Sequence, residues 1–174
     1  IWTNCPDTCP ILSLQMALLQ KRLLEEGMLD REVVLVSISI DPARDKPDRL
    51  KKYAEIFKAE DKGWYFLTGS NEELFKVATL GFGVSFRALK PNEANESNLA
   101  TQLTPPLDET RTGQSLFEYI GTNDISDILD IEESLPYSHH NAFILVDSFG
   151  KIRQYCLGTF LDRDRVVIDI KSLN

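Results

Sequence analysis

The sequence predicts an α/β fold, a mixed sheet flanked by helices, and three observations predict it. Short β-branched and aromatic runs alternate with segments of helical apolar period, which is the pattern of strands joined by crossover helices. A strand, a short polar turn with glycine and a second strand follow near the end, which reads as a hairpin. A pair of cysteines, Cys5 and Cys9, stands at the head of the first helical segment. With 174 residues, 43% of them apolar, the chain suits one domain with a real core.

In "IWTNCPDTCPI" the two cysteines are separated by Pro-Asp-Thr, and Pro10 follows Cys9. Proline fits the first turn of a helix, where its missing N–H costs nothing. Apolar Leu12, Met16, Leu19 and Leu23, with Ile11, Leu18 and Leu24, then make one wide stripe. Gln20, Lys21, Glu25 and Glu26 fall elsewhere, and Gly27 ends the helix. "REVVLVSISID" is a strand whose continuous run Val33 to Val36 predicts burial on both faces, hence parallel pairing. "KPDRLKKYAEIFKA" is a helix with Leu50, Tyr53, Ile56 and Phe57 inward, and "WYFLTG" is a short strand. "SNEELFKVATLGFG" is a helix opened by a capping box of Ser70 and Glu73.

Residues from about 87 to 136 differ in texture: polar, with several prolines and no sustained period. They read as an insertion on the scaffold, with one or two short helices in "SLFEYIGTNDISDILDIEESL" but too few apolar residues for a core of their own. "AFILVDSFGKIRQYCLG" is the hairpin, and "LDRDRVVIDIKSL" closes as a helix with Val166, Val167, Ile170 and Leu173 inward. The order predicts a thioredoxin-like arrangement. In such an arrangement a central strand leads into the thiol pair, and Ile1-Trp2-Thr3 reads as the tail of that strand. Residues 1–174 are therefore expected to form one thioredoxin-like domain whose N-terminal strands are missing from this sequence.

The formal net charge of −8, with a sequence pI near 4.8, disfavours nucleic-acid binding, because phosphates would be repelled. No apolar run reaches the roughly 18 residues of a membrane span. Three cysteines, one of them remote, are not a disulfide-stapled scaffold. The pair at the helix head fits metal binding or redox chemistry. The helix N-terminus is expected to lower a thiol pKa there, with Asp7 opposing it. The only histidines, His139 and His140, are adjacent and stand just before a strand. Two thiolates and one imidazole suit a soft, low-coordinate ion such as Cu(I), whereas zinc calls for a fourth ligand. Successive residues alternate in direction, so one histidine is expected to be the ligand and the other not. Cys156 reads as core, and the "DPARD" loop, Asp41 to Asp45, as a strand exit and helix cap.

Four ordered blocks, "TNCPDTCP", "SISIDPARDKPDRLKKYAEIF", "FLTGSNEELFKVATLGFGV" and a histidine ahead of "AFILVDSFGKI", resemble the Sco/SenC proteins over most of the chain outside the insertion. The resemblance implies a thioredoxin-like fold and copper, Cu(I) or Cu(II), bound by the CxxxC thiols and a distal histidine. It further implies a metallochaperone that assists assembly of the binuclear copper site of cytochrome c oxidase, as copper donor, thiol reductant or both. Its partners would be the oxidase copper-site subunit or another copper chaperone. Its location would be the mitochondrial inner membrane facing the intermembrane space, or the bacterial periplasmic membrane face, through an anchor outside this sequence. Carried over, Cys5 and Cys9 match the motif as ligands and as redox or transfer thiols. The family histidine stands eight residues before the Asp of the turn, which from Asp147 gives His139, with His140 as second choice. Ser138 replaces the acidic residue that usually precedes that histidine, and the insertion is longer than usual. Two alternatives stay open: a thiol–disulfide oxidoreductase acting on a partner's cysteines, and a Sco-like structural subunit of a respiratory assembly.

Overall fold

The computed structural model of the chain describes residues 1–6, 8–84, 86–88, 137–139 and 141–173. Helix α1 spans Thr8–Glu25, strand β1 Leu35–Ile38, helix α2 Pro47–Ile56 and strand β2 Trp64–Leu67. Helix α3, Asn71–Phe75, runs into a π-helical segment, Lys76–Gly81. Strands β3, Phe86–Ala88, and β4, Tyr137–His139, precede the hairpin of β5, Ala142–Val146, and β6, Ile152–Leu157; α4, Arg163–Lys171, is last.

The pairing follows the sequence pattern. β1 and β2 are parallel, with Leu35 opposite Trp64 and Ile38 opposite Leu67. β5 and β6 are antiparallel, turned at Asp147, whose carboxylate accepts the N–H groups of Phe149 and Lys151. Gly150 completes that turn at φ 78°, a left-handed conformation that glycine adopts without strain. Sequence reasoning did not foresee β3 and β4. They pair antiparallel, Phe86 to His139 and Ala88 to Tyr137, so the chain leaves and re-enters through one short ladder. Three-residue strands carry no readable period. The short helices expected within 115–135 lie outside the described residues.

Four local expectations are corrected. The run from Val33 to Val36 is not buried on both faces: Leu35 and Ser37 turn inward, while Val34 and Val36 are 52% and 42% exposed. The pleat alternates, and this sheet packs its core on one side. In α1, Gln20 is buried and Leu24 is exposed, the reverse of the expected stripe. The Gln20 amide is satisfied by the backbone after α2, donating to the Lys58 carbonyl (2.9 Å) and accepting the Glu60 N–H (2.8 Å). In the "DPARD" loop, Asp45 does not cap α2. Lys46 occupies the cap position and Pro47 opens the helix, while the Asp45 carboxylate turns into the protein. At the far end Leu173 stays partly exposed while Val166, Val167 and Ile170 pack inward. The capping box at α3 forms as expected.

The main core joins α1 (Leu14, Ala17, Leu19, Leu23) to Leu35, Tyr53, Phe57, Trp64 and the inner face of α4. Cys156 on β6 packs partly buried against it, in keeping with a structural role. A second, smaller cluster holds Trp2, Cys5, Cys9 and Ile40, with Ile1 and Phe86 against it. Its position is set by β1. The Ile1 nitrogen donates to the Ile38 carbonyl, and the Ile40 N–H donates to the Ile1 carbonyl, both at 2.9 Å. That is one parallel bridge around Ser39, whose own N–H pairs with Leu67 of β2 on the other side. The residues leading to the thiols thus run beside the exit of β1.

Candidate metal centre

Two local structures place the thiols. Residues 2–5 form a tight turn, closed by the Cys5 N–H donating to the Trp2 carbonyl at 3.3 Å. Cys9 sits in the first turn of α1. The structures are stitched through sulfur: the Cys9 N–H points at Cys5 Sγ (3.5 Å) and the Trp2 N–H at Cys9 Sγ (3.4 Å). Cys5 and Cys9 are both free thiols, 3% and 0% exposed, walled by Trp2 and Ile40.

The electrostatics differ from the expectation of a depressed thiol at a helix head. A hydrogen bond with the Cys5 side chain, reinforced by burial, pushes the Cys9 thiol well above its ordinary range; the Trp2 N–H pulls the other way and does less. Desolvation disfavours the thiolate, and a neighbouring sulfur holds the proton in place. Cys9 must therefore release its proton before it can bind metal or attack a disulfide.

His139 is described through its main chain, which pairs with Phe86, the residue that packs against the thiol cluster. The ladder so brings the histidine segment to the strand beside Cys5 and Cys9. His140 and Asp7 lie outside the described residues. Among the described residues no group of three His, Cys, Asp or Glu side chains is set to hold a metal. Among the described residues the donor chemistry is two adjacent sulfurs in an apolar wall, which suits a soft ion and does not complete a zinc site.

Sequence reasoning missed the polar support under this turn. Asp45, fully buried, accepts the Thr3 N–H (3.2 Å) and the hydroxyls of Thr3 and Ser39 (2.5 Å each). Arg49 of α2 donates to the Thr3 hydroxyl (2.7 Å) and to the Asn4 side-chain oxygen (3.2 Å). Thr3 and Asp45 are 42 positions apart. The one available signal was the acid after "SISIDP", which a helix cap explained equally well.

A dithiol at the head of the first helix, beside parallel strands and ahead of an antiparallel hairpin and a last helix, is the organisation of a thioredoxin-like protein. Within that class, the chain belongs to the SCO1/SenC family, whose family model matches residues 1–105. It is 34% identical over 102 residues to a SCO1 protein homolog of Bacillus subtilis (strain 168), covering 59% of this chain and 50% of that protein. It is 38% identical over 77 residues to a mitochondrial SCO1 homolog of Arabidopsis thaliana, covering 44% of this chain and 22% of that protein. The chain thus matches half or less of the length of these curated relatives. Among solved structures, a SCO1/SenC family lipoprotein from Bacillus anthracis str. Ames superimposes with a TM-score of 0.67 at 25% identity, covering 99% of this chain and 76% of the other. BsSco, described with a disulfide switch and as a member of the Sco family of cytochrome c oxidase assembly proteins, gives a TM-score of 0.61 at 26% identity and the same coverage.

Proposed function

We propose that this chain carries copper as its cargo on Cys5, Cys9 and His139 and delivers it during assembly of the copper site of cytochrome c oxidase. The observation that carries the reading is the stitched pair of buried sulfurs at the head of α1, in a chain of the SCO1/SenC family. A relative from Stutzerimonas stutzeri, 38% identical over 77 residues, bears a provisional copper-binding name, and BsSco is placed among oxidase assembly proteins. Soft thiolates favour Cu(I), and a site with few ligands leaves room for a recipient's thiols to enter before the donor's leave. The partner would be the oxidase copper-site subunit or a further copper chaperone. A membrane face, mitochondrial or bacterial, fits the mitochondrial and lipoprotein names among the relatives. No described helix is long and apolar enough to cross a membrane, so tethering would have to come from outside these elements.

The test is copper binding by the reduced protein against a chromophoric Cu(I) competitor. The parent is expected to bind one copper. Cys5→Ala, Cys9→Ala and His139→Ala should each weaken binding by at least about tenfold, or ~1.4 kcal/mol. Affinity unchanged in all three variants would refute the reading. A second reading has a specific observation behind it: two buried cysteines outside a disulfide, with the Cys9 N–H on Cys5 Sγ, also suit the reduced state of a thiol–disulfide oxidoreductase. That activity needs both cysteines and not the histidine. Retained disulfide exchange in a His139→Ala protein that no longer holds copper would favour it.

A further inference from the structure

We propose that Asp45 and Arg49 are positioning residues for the thiol pair: they clamp the two central residues of the Trp2–Cys5 turn and thereby set the equilibrium between dithiol and disulfide. The inference rests on the reading of Cys5 and Cys9 as the working thiols, and it adds the device that sets their poise.

The geometry runs in one line. Trp2, at the start of the turn, gives its N–H to Cys9 Sγ, and the turn ends at Cys5 itself. Both sulfurs are therefore referred to one four-residue segment. Its central residues, Thr3 and Asn4, are fully or almost fully buried. Asp45 takes the Thr3 N–H on both carboxylate oxygens, the Thr3 hydroxyl on Oδ1 and the Ser39 hydroxyl on Oδ2. Arg49 donates Nε–H to the Thr3 hydroxyl and Nη2–H to Asn4 Oδ1. The Thr3 hydroxyl thus accepts from the cation and donates to the anion, linking the two charges through the turn. Ser39 ties the same carboxylate to the exit of β1, alongside Ile1.

A buried carboxylate is costly unless its lone pairs are filled, and here they are filled by Thr3 of this turn together with the Ser39 hydroxyl. Cys9 is fixed by α1, so closing a bond of about 2.05 Å between the sulfurs requires Cys5 to be held in register with it. A clamped turn raises the effective concentration of one sulfur at the other, and a loosened turn lowers it. The reaction concerned is Cys5–Cys9 dithiol plus oxidised glutathione giving the Cys5–Cys9 disulfide plus two reduced glutathiones. The protein gives up two electrons and two protons, and the glutathione disulfide takes them up through a mixed-disulfide intermediate.

The experiment equilibrates the whole chain in glutathione redox buffers and reads the equilibrium constant by thiol alkylation, with thermal unfolding of each variant in parallel. Asp45→Asn keeps the volume but turns an amide donor toward donors, and should lower the constant by about tenfold, the lower end of what outer support of a ligand is worth. Thr3→Val should do the same, whereas Thr3→Ser, which keeps the hydroxyl, should retain the parental constant even where its melting temperature falls. That split separates positioning from mere stability. Should Asp45→Asn not fold, Arg49→Lys carries the test, since one ammonium cannot replace the fork that serves both Thr3 and Asn4. A folded Asp45→Asn or Arg49→Lys with the parental constant overturns the proposal. So does a Thr3→Ser constant that falls with its stability. A parent that neither forms the disulfide nor binds copper would instead refute the functional reading beneath it.

Discussion

A thiol held in its protonated form has to lose that proton before it can ligate a metal. For Cys9 the proton is retained by the Cys5 side chain and by burial, so the proposed copper binding would be coupled to proton release at this residue. Below the raised pKa every copper bound through Cys9 displaces a proton, so apparent affinity climbs as pH rises, by up to about tenfold per pH unit for one proton. Competition titrations across the neutral range should show this slope in the parent and a shallower one in Cys9→Ser. A flat profile would mean that Cys9 enters as a preformed thiolate. At this scale the sequence identified the two sulfurs but mistook the direction of the Cys9 shift. Helix position is visible in a sequence, whereas the sulfur neighbour and the dry wall of Trp2 and Ile40 exist only after folding.

Among the elements, α1 links the site to the core: its first turn holds Cys9, and its later turns supply Leu14, Leu19 and Leu23 to the main cluster. Its buried polar residues make the linkage directional. Gln20 hydrogen-bonds the backbone on both sides of Ala59, and Gln15 accepts from Arg163 at the start of α4 (2.8 Å). Replacing Gln20 by Ala removes both of its bonds and should destabilise the fold by about 1–2 kcal/mol, measured by urea unfolding. The loss should leave Cys5 and Cys9 untouched, so the copper affinity expected of the proposed site, measured well below the melting temperature, should not change. The helix was legible from its period, but Gln20 was assigned to the wrong side. Period-based reading sorts residues by polarity and cannot see a polar partner 38 positions away.

For the whole molecule, Ile1 packs against both clusters, and Tyr53 ties the main core to α1 near the thiols. Its ring lies in the main core against Phe57 (4.9 Å between centroids), and its hydroxyl bonds Ser13 at 2.9 Å, one turn beyond Cys9. Burial, with the added influence of Cys9, raises this phenol well above its ordinary range. The unfolded chain ionises at about pH 10 while the folded one resists, so the folded state binds more protons in that window. Stability is fully present below about pH 10 and is lost as pH rises toward the raised value. Chemical denaturation at increasing alkalinity should therefore show a steeper loss in the parent than in Tyr53→Phe, although the variant starts about 1 kcal/mol lower for want of the Ser13 bond. Equal slopes would remove Tyr53 as the source.

By itself the sequence determined the alternation of helices and strands, the hairpin, the dithiol at a helix head and, through four ordered blocks, the family. These features are local: a period, a cap, a turn and a short motif are each written within a few consecutive residues. Tertiary structure alone decided that the sheet face carrying Val34 and Val36 stays exposed, that Asp45 turns inward and that the segment at His139 pairs with Phe86 beside the thiols. It also decided that Cys9 keeps its proton. Each of these depends on which distant residue is brought into contact and on how much water is excluded there, and neither is encoded in the neighbours of any one position.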